Sequence, residues 1–107
     1  MSTVTMYRRP GAAYLAEVAR SGWRLCAGGW RTEPDGSWSA VYARRRGRRA
    51  RRARVWRVAG HWLWRVEVFD LRTRATLGTL CRSLAGVRYV SPRAAVPWAD
   101  AAARTET

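Results

Sequence analysis

The sequence of 107 residues contains no lysine, isoleucine, asparagine or glutamine, and only one histidine, His61. Its two cysteines, Cys26 and Cys81, are far apart in the chain. One histidine and two distant cysteines do not have the spacing of zinc ligands, so we expect neither a metal site nor another cofactor. Both cysteines lie among apolar residues, which predicts buried thiols that pack as small hydrophobic side chains.

Long apolar runs are also missing. No stretch approaches the roughly 18 consecutive apolar residues that a membrane-spanning helix needs. Arg8 and Arg9 stand near the N-terminus, but no apolar run follows them as it would in a signal peptide. These absences predict a cytoplasmic protein with reduced thiols and no membrane span.

Acidic residues are few, with 7 against 21 basic residues, and the formal net charge is +14. Every basic residue is arginine, which GC-rich coding explains in part because the missing residues mostly use AT-rich codons. A charge balance this basic attracts polyanions, so nucleic acid, an anionic membrane and an acidic protein are the candidate partners. The 48% of apolar residues is enough for one packed domain of this length.

The arginines are clustered between residues 44 and 54, where they take eight of eleven positions. A block of like charge resists folding by itself, which predicts an exposed loop or the tip of a long hairpin. The guanidinium group matches the geometry of phosphate oxygens and stays charged at any relevant pH. The predicted binding residues are this block and its neighbours: Arg44, Arg45, Arg46, Arg48, Arg49, Arg51, Arg52, Arg54, Trp56, Arg57 and Arg65.

Strict alternation of apolar residues from Trp62 to Phe69 predicts a strand. Trp64 is expected in the core together with Trp62, Val66 and Val68, while Arg65 lies on the opposite face. A strand over residues 55–59 precedes it, and Gly60-His61 suits a two-residue type II′ hairpin loop.

Turn and cap signals predict the remaining elements. Residues 33–36, Glu-Pro-Asp-Gly, form a turn between a strand over 23–31, bent at its glycine pair, and a returning strand over 38–46. A helix over 10–21 ends at Gly22. The helical spacing of Leu77, Leu80, Cys81 and Leu84 predicts a second helix within residues 70–86, followed by a short strand over 87–90.

The predicted fold is an α+β domain in two layers, with an antiparallel sheet of three to four strands flanked by an N-terminal and a C-terminal helix. It occupies residues 10–91 and carries the Arg-rich loop 44–54. Residues 1–9 are expected to be a flexible N-terminus. Residues 92–107 are expected to be a loose tail, because Ser91-Pro92 interrupts the preceding pattern.

Three functions fit these features. The first is a small, non-enzymatic nucleic-acid-binding protein of low sequence specificity, whose arginines contact the phosphate backbone of DNA or RNA. The second is an interaction or inhibitor module, of the kind phages and plasmids encode, that docks on an acidic protein. The third is a metal-dependent nuclease using Glu67 and Asp70, although salt bridges with Arg65 or Arg72 account for these carboxylates more simply.

The seven tryptophans admit two interpretations. They either fill the core of a small sheet protein or form a stacking platform for unpaired bases. For Trp62 and Trp64 the core is favoured by their alternation with valines. For Trp56, which follows the arginine block, both interpretations stay open.

Overall fold

A computed structural model describes residues 11–105 of the chain. It is an α+β fold of two helices and an antiparallel sheet, so the expected fold class is confirmed, with six strands in place of three to four. The flexible N-terminus expected over residues 1–9 lies outside the described residues. The elements are α1 (Ala12–Ser21), β1 (Arg24–Leu25), β2 (Arg31–Thr32), β3 (Trp38–Ala43), β4 (Arg49–Val58), β5 (His61–Asp70), β6 (Thr76–Arg82) and α2 (Pro92–Arg104).

The sheet has the order β1-β3-β4-β5-β6, and β2 also pairs with β3. The two short strands β1 and β2 therefore share one edge of β3, with Leu25 opposite Tyr42 and Thr32 opposite Trp38. Gly28 and Gly29 separate them with φ values of 96° and 56°. The strand expected over residues 23–31 is thus divided at its glycine pair, since glycine adopts positive φ without steric cost.

The hairpin of β4 and β5 is the longest pairing in the sheet and runs from Val58 opposite His61 to Arg49 opposite Asp70. The predicted strand over residues 62–69 is confirmed. The turn lies one residue earlier than expected, because Ala59 and Gly60 have φ values of 49° and 82°. Positive φ at both central residues is typical of a type I′ turn, so the predicted type II′ loop is wrong.

The prediction of a loose C-terminal tail is wrong for residues 92–104, which form the helix α2. Ser91 is the N-cap of this helix, and its Oγ accepts a hydrogen bond from the backbone N–H of Ala94 at 3.2 Å. Pro92 occupies the first turn, where its missing N–H has no helical partner to lose. The same Ser-Pro pair that ends one pattern therefore begins another.

The core lies between α2 and one face of the sheet. The helix contributes short side chains, Ala95, Ala99, Ala102 and Ala103, which let it approach the strands closely. The sheet contributes larger ones, including Trp64 at 2% exposure and fully buried Val55 and Val66. The predicted inward orientation of Trp64 and Val66 is confirmed, and Trp62 is half-buried against the same cluster.

The second helix predicted within residues 70–86 is wrong, because this segment forms β6 at the sheet edge. Leu77 and Leu80, which suggested a buried helical stripe, are 50% and 39% exposed. The pairing of β5 with β6 shifts register twice, next to Val66 and next to Val68. Such bulges interrupt the alternation by which a strand is recognised. The strand expected over 87–90 is reduced to one bridge between Trp62 and Tyr89.

Helix α1 confirms the predicted N-terminal helix, and Gly22 ends it with a φ of 76°. Its buried Tyr14 donates a hydrogen bond to Asp100 of α2 at 2.5 Å, and Tyr42 of β3 donates to the same carboxylate at 2.7 Å. Burial, together with the bond to Asp100 and its negative charge, raises the pKa of both tyrosines well above 10.

Within residues 11–105, neither helix is long and apolar enough to cross a membrane.

We expect Trp64→Ala to lower the free energy of unfolding by about 3–5 kcal/mol, because it leaves a cavity between α2 and the sheet. The control is Leu77→Ala in exposed β6, for which we expect a change within about 0.5 kcal/mol. Urea titration followed by circular dichroism measures both. Similar losses in the two variants would contradict the assignment of Trp64 to the core.

We also expect stability to fall as the pH rises above 10. Unfolded tyrosine releases its proton near pH 10, whereas Tyr14 and Tyr42 retain theirs in the folded state, so the unfolded state binds fewer protons and becomes favoured. Each tyrosine contributes a slope of about 1.4 kcal/mol per pH unit. Urea midpoints between pH 8 and 11 measure the slope, and Tyr42→Phe should reduce it. An unchanged slope in that variant would show that Tyr42 is not responsible.

Candidate functional site

The arginine block does not form the loop expected over residues 44–54. Only residues 44–48 lie between strands, and from Arg49 onward the chain is β4, at the centre of the sheet between β3 and β5. Strand alternation directs Ala53 and Val55 into the core. It directs Arg52 and Arg54 to the opposite face, so the block is divided among distinct environments.

Arg51 is buried at 8% exposure on the face that packs against α2. Its Nη1 donates to the carbonyl oxygens of Ala103 at 2.9 Å and Thr105 at 2.6 Å, and its guanidinium lies 4.2 Å from the ring centroid of Trp23. The last carbonyls of a helix carry partial negative charge, which favours a cation there. Arg51 therefore holds α2 on the sheet, and its predicted place on an exposed binding surface is wrong.

The sheet face opposite α2, here the open face, presents the side chains of Arg52, Arg54 and Trp56 from β4 and of Arg65 and Glu67 from β5. Glu67 is 4% exposed and lies 3.1 Å from Arg52 and 3.3 Å from Arg65. The predicted salt bridge between Glu67 and Arg65 is confirmed. Arg54 lies 3.6 Å from Asp35, whose pKa is lowered by hydrogen bonds from Ser37. The arginines at the centre of the open face are thus paired with carboxylates.

A more basic surface forms at one end of the sheet. Because Arg49 is opposite Asp70, the turn over residues 44–48 lies beside the turn over residues 71–75, and the backbone N–H of Leu71 donates to the Arg48 carbonyl at 3.0 Å. Arg24 of β1 reaches the same end, opposite Ala43. We call this surface the arginine end, and its exposed members are Arg24, Arg44, Arg45, Arg46, Arg48, Arg49, Arg72 and Arg74.

Asp70 contacts both turns of the arginine end. Its carboxylate accepts hydrogen bonds from the backbone N–H groups of Thr73 at 3.0 Å and Arg72 at 2.9 Å, which hold its pKa below the usual 3.8. It also lies 3.2 Å from Arg48 Nε. On the other side, the guanidinium of Arg44 lies 4.5 Å from the ring centroid of Trp23. The two turns are therefore fixed to the sheet, and neither contains an acidic residue.

Sequence reasoning missed Arg24, Arg72 and Arg74. A signal for the last two was present in the hairpin. Extending the pairing of Val58 with His61 outward along both strands brings Arg48 opposite Leu71, and so brings the two turns together. No local pattern predicts the position of Arg24, because β1 is a short edge strand and its pairing with β3 depends on the bend at the glycine pair.

The remaining predicted residues lie toward the other end of the sheet. Trp56 is half-buried on the open face, with the guanidinium of Arg65 at 5.1 Å from its ring centroid. Arg57 is exposed on the other face of β4, next to Trp62. The structure therefore brings together five of the predicted residues at the arginine end, namely Arg44, Arg45, Arg46, Arg48 and Arg49.

The carboxylates offered for a nuclease are both engaged in structural contacts, Glu67 with two arginines and Asp70 with Arg48 and the turn. In the described part of the chain, no three His, Cys, Asp or Glu side chains come together as a metal site. Cys26 and Cys81 are half-buried thiols.

Comparison of the chain with protein-family models, with curated proteins and with solved structures finds no match. A function is therefore inferred from the residues and their positions. The arginine end gathers eight exposed arginines, six in its two turns and two more at the adjoining strand ends.

We expect neighbouring arginines to have opposite importance for stability. Arg51→Ala should lower the free energy of unfolding by about 2–3 kcal/mol, because it removes charged hydrogen bonds and leaves carbonyl oxygens of α2 without their donor. Arg49→Ala, which removes an exposed side chain of the same type, should change it by less than about 0.5 kcal/mol. Thermal and urea unfolding measure both variants. Equal effects would contradict the buried position of Arg51.

Proposed function

We propose that this protein binds nucleic acid by holding the phosphate backbone at the arginine end, with little base specificity and without catalysing a reaction. The observation that carries the proposal is the gathering of eight exposed arginines on two adjoining turns and the strand ends beside them. The two turns themselves contain no acidic residue, and Asp70, at the end of β5 beside them, pairs with Arg48. A cytoplasmic location with reduced thiols completes the proposal.

The chemistry of arginine supports a phosphate ligand. Each guanidinium offers several donors in a planar fork that matches two phosphate oxygens, and charge-assisted bonds of this kind are stronger than neutral ones. Eight such groups on one surface are suited to nucleic acid, which carries a phosphate at every nucleotide. Contacts to phosphate carry no sequence information, so low specificity follows.

The attachment of the two turns also supports binding. Asp70 fixes the turn over 71–75, and Arg44 packs on Trp23, whose ring also contacts the buried Arg51. A surface whose backbone is already ordered loses less conformational entropy when it binds. The folded domain should therefore bind more tightly than an isolated peptide of residues 44–54.

We expect binding to weaken steeply with salt, because each phosphate contact releases a counterion. The variant Arg45→Ala, Arg46→Ala, Arg49→Ala removes three exposed side chains of the arginine end. If each makes one contact, it should flatten the log–log slope of affinity against salt by about 2.7 on duplex DNA and about 2.1 on a single strand. Fluorescence anisotropy with labelled oligonucleotides at several salt concentrations measures the slopes.

The matched control is Arg31→Ala, Arg57→Ala, Arg93→Ala, which removes the same charge from exposed positions outside the arginine end. It should change the slope much less. Equal flattening by the two triple variants would mean that net charge, and not the arginine end, governs binding. If the unaltered protein binds no nucleic acid even at low salt, the proposal fails and the acidic-protein alternative takes its place.

A further inference from the structure

A groove of ≈ 800 Å³ lies at the end of the open face away from the arginine end. Its walls are β4, β5, β6 and the segment over residues 83–88 that follows them. Trp56, Leu63 and Leu80 give it an apolar lining, and Leu80 is 39% exposed. Its apolar lining with polar groups at the edge suits a flat apolar ring with polar edges.

The charged side chains that line this groove, within the described part of the chain, are Arg65, Arg82 and Arg88. Arg65 and Arg82 are directly opposite each other on β5 and β6, and Arg88 Nη1 lies 3.4 Å from His61 Nε2. Among residues 11–105, no aspartate or glutamate lines the groove. Arg65 is paired with Glu67 at 3.3 Å, so an anion in this groove would be held chiefly by Arg82 and Arg88.

The pair formed by Trp56 and Arg65 identifies the ligand more closely. The guanidinium of Arg65 lies 5.1 Å from the indole centroid, and both groups face the groove. Unpaired nucleobases stack on aromatic rings and on arginine planes, whereas the bases of a duplex are already stacked and paired. An apolar slot with a stacking ring and a surplus of arginine therefore fits a base together with its phosphate.

We propose that this groove binds one unpaired nucleobase of a single-stranded nucleic acid, with its phosphate at Arg82 and Arg88. This inference rests on the proposed function, because the same strand would reach the arginine end. From Arg49 to Trp56, β4 covers about 23 Å at the rise of a strand, and Arg52 and Arg54 lie between them on the open face. The protein consequently prefers single strands over duplexes.

The test compares two labelled single strands of twelve nucleotides with equal phosphate numbers, one of thymidines and one abasic. The unaltered protein should bind the thymidine strand about tenfold more tightly, which corresponds to one stacked base. Trp56→Leu keeps apolar volume without an aromatic ring, and it should remove this difference while leaving the affinity for the abasic strand unchanged. Trp56→Phe should retain most of the difference.

The variants separate this proposal from the one it rests on. The variant Arg45→Ala, Arg46→Ala, Arg49→Ala should weaken both strands equally, and if it weakens neither, the proposed function fails. If it weakens both while Trp56→Leu binds thymidines as tightly as the unaltered protein, only the groove assignment is overturned. Urea unfolding checks that Trp56→Leu is folded. If it is not, the unaltered protein decides the question, because equal binding of the thymidine and abasic strands overturns the groove assignment.

A final measurement addresses an acidic peptide as the ligand of the groove. Polyglutamate of matched charge should compete with the thymidine strand no better for the unaltered protein than for Trp56→Leu, because it has no ring to stack. Polyglutamate binding that depends on Trp56 as strongly as thymidine binding does would overturn the nucleobase assignment.

Discussion

The guanidinium of Arg51 lies buried between the C-terminal end of α2 and the ring of Trp23. A charge in this position without partners would strongly destabilise the fold. The terminal carbonyls of α2 and the face of an indole supply those partners, and so an arginine-rich segment can serve as the central strand. This contact joins the C-terminal end of α2 to β4 and to Trp23, on which Arg44 of the arginine end also packs.

The alternation of β4 then separates the functions of neighbouring residues. Ala53 and Val55 complete the core, while Arg52 and Arg54 reach the open face and are paired with carboxylates. The remaining positive charge is concentrated in the two turns at one end of the sheet. A sequence block that looks uniform is therefore partly core, partly a paired surface and partly the proposed phosphate-binding surface, because successive side chains of a strand point to opposite faces.

Two elements were mispredicted for physical reasons that can be named. The segment of β6 was predicted to be a helix because its leucines have helical spacing. Its bulged pairing with β5 also interrupts the alternation that would indicate a strand. The segment of α2 looked unstructured because it holds two prolines and many alanines. Its alanines are the buried face, and they have no apparent hydrophobic pattern until large rings such as Trp64 of the sheet are placed against them.

The sequence by itself determined the α+β class, the first helix, the strand around Trp64 and the position of the Glu-Pro-Asp-Gly turn, because local periodicity and turn chemistry act over a few residues. It also determined the excess of arginine. Only the tertiary structure decided which arginines share a surface. Burial of Arg51, pairing of Arg52 with Glu67, and the joining of Arg72 and Arg74 to residues 44–49 all depend on strand register and on α2. These are contacts between distant residues, and no local pattern specifies them.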